Sequence, residues 1–133
     1  MKKIAVAGVV IAVAMLSACA IKPSPSELAS ADYGAYPDNY KEIVGGYESL
    51  RLKDPSSAVY QYMGMPQKAW NGLGGSQYGY AVCAFINGKN SFGAYVGARP
   101  NYFLIRDGRV VRSVEGDGQY MDSLAKGLCH VPD

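Results

Sequence analysis

The chain has 133 residues, with 13 Lys+Arg, 11 Asp+Glu and one His, a formal net charge of +2. That length fits one ordinary domain plus extensions and leaves no room for a second. So small a charge gives no long-range field that would draw the protein to nucleic acid or to an anionic membrane.

The chain starts with Lys2-Lys3, runs apolar from Ile4 to Leu16 with Gly8 the one break, and reaches Leu16-Ser17-Ala18-Cys19. A positive start, a short apolar stretch and small residues form a secretory signal. Residues 4–18 are shorter than the about 20 apolar residues a membrane span needs, and Lys22-Pro23-Ser24-Pro25 cannot extend a helix in lipid. Leu16-Ser17-Ala18-Cys19 resembles the lipobox of bacterial lipoproteins. The resemblance implies processing before Cys19, acylation of its thiol and, because Ala20 rather than an acidic residue follows, transport to the outer membrane. The expected organisation is a removed signal over 1–18, a lipid-anchored flexible tether over 19–36 and a single globular domain over 37–133. Loss of Lys2 and Lys3 lowers the cations from 13 to 11, against 11 acids, so the mature chain is neutral and only the lipid attaches it to the membrane.

With Cys19 assigned to acylation, Cys83 and Cys129 remain. An exported protein meets an oxidising compartment, which favours a disulfide between them over two buried thiols. Closing that loop contributes on the order of 4 kcal/mol in the chain-entropy model. A metal site is disfavoured, because Cys83 has no second ligand at short spacing and His130, beside Cys129, has no carboxylate cluster near it.

Residues 20–36 are rich in Pro, Ser and Ala without a sustained apolar period. As flexible coil they would span roughly 20 to 25 Å, which keeps the domain near the bilayer. Over 37–53, Tyr40, Ile43, Val44, Tyr47 and Leu50 recur at helical spacing, Pro37 suits a first turn and Asp54-Pro55 ends the helix. Gly45-Gly46 inside it means either a weak helix or close packing on a sheet, and packing is the expectation.

A strand is expected over 59–63. Residues 67–77 form an irregular glycine-rich loop holding the single Trp, so Trp70 and Asn71 are candidate contacts unless Trp70 closes the core. Residues 78–87 are apolar on both faces, as a central strand requires. Residues 91–98 are expected to pair with them as a hairpin, with Arg99-Pro100 breaking the ladder.

Asp107-Gly108 between alternating apolar runs predicts a two-residue turn. Its register sets Arg106 opposite Arg109, Ile105 opposite Val110 and Phe103 opposite Arg112. The tip of Arg106 and Arg109 is either simply solvated or an anion-docking spot. A short closing helix over 120–128 carries Met121, Leu124 and Leu128 on one side, and the disulfide would tie it to the central strand.

Leu52-Lys53-Asp54-Pro55-Ser56-Ser57-Ala58, Tyr78-Gly79-Tyr80-Ala81-Val82-Cys83, Asn90-Ser91-Phe92-Gly93 and residues 102–108 are similar to stretches of small bacterial envelope proteins with no assigned activity. No catalytic residue transfers from that resemblance.

The chemistry of the residues points the same way. Lys89 lacks the glycine and hydroxyl spacing of a phosphate loop, His130 stands alone near the terminus, and Glu42, Glu48, Asp107, Glu115, Asp117 and Asp122 fit a solvated helix face or turns. No cofactor or metal is called for. Of the eleven tyrosines most are expected in the core, but Tyr60, Tyr62 or Tyr95 exposed near Trp70 would suit protein or glycan contact.

The expectation is an α+β fold. A four- to five-stranded, mainly antiparallel sheet is packed by one amphipathic helix, and a disulfide ties down a short C-terminal helix. In function it is a non-catalytic, lipid-anchored structural or binding accessory at the periplasmic face of the bacterial outer membrane, with an envelope protein or glycan as partner and no nucleic acid. The competing class is a small envelope hydrolase or inhibitor using the Trp70 loop.

Overall fold

The computed structural model describes residues 22–72 and 75–131. The signal expected over residues 1–18 and the lipid attachment expected at Cys19 lie outside the described residues. The elements are α1 (Pro25–Ser30), α2 (Tyr40–Ser49), a 3-10 turn (Pro55–Ser57), β1 (Val59–Tyr62), β2 (Gln67–Asn71), β3 (Gln77–Asn87), β4 (Arg99–Arg106), β5 (Arg109–Glu115) and α3 (Tyr120–Cys129). The five strands make one antiparallel sheet, in which β3 pairs with β4 and β4 with β5, and β1 and β2 lie end to end along the other edge of β3. This is the expected α+β architecture, with a helix on each face of the sheet.

The central position of β3 follows from its composition, because neither of its faces is polar enough for water. Val82, Ala84 and Ile86 point to the face covered by α2, where they meet Tyr40, Val44, Phe103 and Ile105. Ala81 and Cys83 point to the opposite face with Tyr102, Leu104, Val114 and Ala125, under Met121, Leu124 and Leu128 of α3. β4 is the most buried strand: Tyr102, Phe103, Leu104 and Ile105 run consecutively at 2% exposure or less. The Cys83–Cys129 disulfide, with Cα atoms 5.9 Å apart, ties the last residue of α3 to the centre of β3.

The structure corrects several of the expectations. The partner of β3 is Arg99–Arg106, not residues 91–98, which are exposed throughout and make one isolated bridge, Lys89 to Tyr95, in place of a ladder. Asn90 explains why: its Oδ1 accepts from the backbone N–H of Phe92 and of Ala94, closing a local turn that competes with the ladder. Pro100 does not break pairing, because it sits at the start of β4, opposite Phe85, where a missing N–H is tolerated.

The Asp107-Gly108 turn forms with φ of 48° and 75°, and Arg106 faces Arg109 and Ile105 faces Val110 as expected. Beyond them the register shifts. Leu104 pairs with Arg112 and Phe103 with Ser113, so Val111 is an extra residue and the predicted pairing of Phe103 with Arg112 is lost. The bulge puts Val110 on the α2 side and Val111 on the α3 side, so each valine packs, partly buried, against a layer of the core.

Residues 67–71 are strand rather than loop, paired with 77–81. The edge breaks only between β1 and β2, where Gly64 has φ of 82° and the Met63 N–H still reaches the Cys83 carbonyl at 2.9 Å. The helix expected over 37–53 is shorter at both ends. The packing reason for Gly45 and Gly46 also fails, since a side chain added at either would meet nothing within 4 Å.

Residues 22–36, expected to belong to a flexible tether, are not coil throughout. Ser24 and Glu27 cap α1 reciprocally, with Ser24 N–H donating to Glu27 Oε2 at 2.6 Å and Glu27 N–H to Ser24 Oγ at 3.3 Å. Beyond α1, Tyr33 is buried edge-on against Tyr78 and Tyr36 packs on Tyr80, with centroids 5.6 and 5.2 Å apart. Residues 33–37 thus cover the end of the sheet that α2 leaves open.

Candidate functional site

Of the side chains singled out from sequence, Cys83 and Cys129 are bonded to each other, and Cys19 lies outside the described residues. Trp70 is a half-buried residue of β2 opposite Tyr78. Asn71 is buried and hydrogen-bonds the Tyr102 side chain, on the α3 side of the sheet. Neither Trp70 nor Asn71 lines either of the two clefts described below.

Arg109 is exposed, whereas Arg106 turns back onto the chain. Its Nη2 meets Asp32 Oδ2 at 2.9 Å, its Nη1 donates to the carbonyls of Asp32 and Tyr78, and its Nε lies 3.6 Å from Asp107 Oδ2. An anion-docking tip needs free donors, and those of Arg106 are engaged in holding the N-terminal segment to the sheet.

Tyr60 and Tyr62 stack with centroids 6.0 Å apart on the α2 face, with Tyr62 edge-on to Tyr40. Tyr95 is half exposed, on the tongue of residues 88–98, where its hydroxyl donates to the Ser57 carbonyl at 2.8 Å.

The larger cleft, about 520 Å³, lies between α1 and the Gln77 end of β3. Its main charges, Asp32 and Arg106, are already paired with each other. The smaller cleft, about 210 Å³, lies at the opposite end of the sheet, where α2 ends, β3 runs into the exposed tongue and β5 finishes. Its charged walls are Glu48, Arg51, Lys53, Lys89, Arg99 and Glu115.

This smaller cleft is unusual because of Glu48. Tyr40, Val44 and Glu48 follow at four-residue spacing on the buried side of α2, and Glu48 is only 2% exposed. Its Oε1 is buried without a hydrogen-bond partner among the described residues. Burial pushes its carboxyl up to about 7, the Glu115 charge adds to the rise, and Arg51 pulls the other way. Arg51 is nevertheless committed elsewhere: its Nε lies 2.9 Å from Glu115 Oε1 and its guanidinium covers the Tyr47 ring at 3.8 Å. Asn101, also lining the cleft, is buried and donates through Nδ2 to the Arg99 carbonyl at 2.9 Å. Gly116 closes the cleft wall tightly, since a Cβ there would stand 2.6 Å from the Pro100 carbonyl oxygen.

Glu48 is one of six acids most of which are expected on a solvated helix face or in turns, and its burial sets it apart from that expectation. A signal was present: a carboxylate four residues after Val44 and eight after Tyr40 continues an apolar stripe, and an acid is seldom buried there without a reason.

Among the described residues there is no cluster of three or more His, Cys, Asp or Glu that could hold a metal ion. No helix among them is long and apolar enough to cross a membrane. Comparison of the chain with protein-family models, curated proteins and solved structures finds no match.

Proposed function

We infer that this protein is a lipid-anchored lipoprotein of the bacterial outer membrane, facing the periplasm, and that its domain is a binding or structural accessory rather than an enzyme. The observation that carries this reading is the pairing of Cys83 with Cys129. That bond accounts for two of the three cysteines of the sequence, the third being Cys19 at the end of Leu16-Ser17-Ala18-Cys19, and a disulfide suits an oxidising compartment.

The geometry suits a presenting role. The N-terminal segment joins the sheet at the Tyr78 end, through Tyr33 and Asp32. β3 rises about 33 Å from there to the tongue. A domain tethered at Cys19 through residues 20–24 would therefore hold its Glu48 cleft at the end away from the bilayer.

The test is Cys19→Ser in cells, followed by membrane fractionation and labelling with a fatty-acid analogue. Wild type should label and sediment with outer membranes. The variant should lose the label and either leave the membrane or accumulate as unprocessed precursor. Mature, membrane-bound Cys19→Ser protein would end the lipoprotein reading.

A further inference from the structure

We propose that the cleft between α2, the 88–98 tongue and the end of β5 is a binding site for a small zwitterion that carries an ammonium and a carboxylate on one carbon or one peptide unit apart, that is, an amino acid or a dipeptide. The inference stands on the cleft alone and does not depend on membrane anchoring.

The charges of the walls select this chemistry. Arg51 and Glu115 form their own pair at 2.9 Å, which leaves one carboxyl, Glu48, and three cations, Lys53, Lys89 and Arg99. Glu48 is 2% exposed and its Oε1 has no hydrogen-bond partner among the described residues. A buried carboxyl oxygen left unpaired costs stability, and an N–H donor brought by a ligand removes that cost.

A fully ionised inorganic anion would bind the three cations but brings no donor to Glu48 and leaves its Oε1 unsatisfied. A simple cation would satisfy Glu48 but face the three positive side chains. A zwitterion answers both: its ammonium donates to Glu48 and its carboxylate is held by Arg99 with Lys53 or Lys89, in a charge-assisted arrangement stronger than neutral hydrogen bonds.

The cleft also limits size. At about 210 Å³ it admits one small amino acid or a dipeptide, not a folded partner. One wall is rigid, because Gly116 lies against Pro100 and Asp122 with no space for a side chain. Another is the tongue, closed on itself by the Lys89–Tyr95 bridge and attached to the domain by the Tyr95 hydroxyl on the Ser57 carbonyl and the Gly97 N–H on Asn87 Oδ1.

Titration calorimetry on the purified full-length protein in detergent tests the proposal with L- and D-alanine, dialanine, N-acetylalanine and alaninamide. Alanine, dialanine or both should bind with a Kd of about 1 mM or tighter. N-acetylalanine, which has lost the ammonium, and alaninamide, which has lost the carboxylate, should each bind at least about tenfold more weakly. Dialanine binding tighter than alanine would identify the ligand as a dipeptide, and the reverse order as a free amino acid.

Glu48→Gln and Arg99→Met should each weaken binding by about tenfold or more while melting cooperatively. The ligand series on unaltered protein keeps the test valid if either variant fails to fold. N-acetylalanine or alaninamide binding as well as alanine, or no saturable heat with any of the five compounds, would overturn the proposal.

Discussion

Arg106 holds Asp32 across 74 residues of sequence, with Nη2 at 2.9 Å from Asp32 Oδ2 and Nη1 donating to the Asp32 carbonyl. The same Nη1 donates to the Tyr78 carbonyl at 3.1 Å. One guanidinium thereby joins the N-terminal segment, β3 and β4, and holds Tyr33 against Tyr78. Because the Asp32 carboxylate is largely exposed, the ion pair itself contributes little. The hydrogen bonds to backbone carbonyls carry the effect.

Arg106→Ala should therefore lower stability by about 1 to 2 kcal/mol and, more specifically, loosen residues 32–37. Hydrogen exchange of the Tyr33 and Tyr36 amides is the measurement. Exchange unchanged from wild type in those residues would remove the clamp from the account. Asp32 titrates lower than usual, chiefly through the Gly34 N–H and then Arg106. Its stabilising contribution is present above the ordinary carboxylate range and is lost as pH falls through its lowered value.

Glu48 has the opposite sign. Its carboxyl is raised from 4.5 to about 7, so the neutral form favours the native state. Stability from this group is full below about pH 4.5 and declines as pH rises to about 7, by at most on the order of 3 kcal/mol. Glu48→Gln removes that slope. Urea unfolding at pH 5 and pH 8 should show the variant gaining on wild type at the higher pH, and two parallel profiles would contradict the buried carboxyl.

The disulfide closes a separation of 46 residues. Replacing both Cys83 and Cys129 with Ala should lower stability by about 4 kcal/mol at most, with α3 loosening first because Cys129 is its last residue. In unreduced protein a maleimide should label neither cysteine. Labelling of both would refute the bond.

The glycines separate two physical situations. Gly45 and Gly46 are in α2 with open space around them, so Ala at each should stabilise by about 1 kcal/mol. At Gly79 an added Cβ would stand 2.5 Å from the Ile105 carbonyl oxygen, and Gly79→Ala should destabilise by about 2 kcal/mol. Thermal unfolding of the three single variants decides this, and the same sign for all three would be wrong for the packing described.

Local chemistry determined much of this protein from its sequence alone. The two-faced apolar pattern of residues 78–87 made a central strand, Asp107-Gly108 made its turn, and the Tyr40–Val44 spacing made the packing helix. Each depends on near neighbours and on the period of side-chain direction, which a single chain displays. The pairing of Cys83 with Cys129 was expected from the cysteine count together with the export signal read in residues 1–18.

What only the tertiary structure decided depends on distant partners. Residues 91–98 and 99–106 carry similar strand patterns, and the choice between them as partner of β3 rests on Asn90 folding the first stretch onto itself. The Val111 bulge shifts a register that the turn alone would carry further, because burying both Val110 and Val111 needs opposite faces of the sheet. Trp70 became a strand residue by pairing with Tyr78, and Arg106 a clamp rather than a docking tip by meeting Asp32. The candidate site was hidden for the same reason: Glu48 looks like a solvated acid until α2 lies on the sheet and brings Glu115, Arg99 and Lys89 around it, and burial is a property of the packed layers, not of the helix that carries the residue.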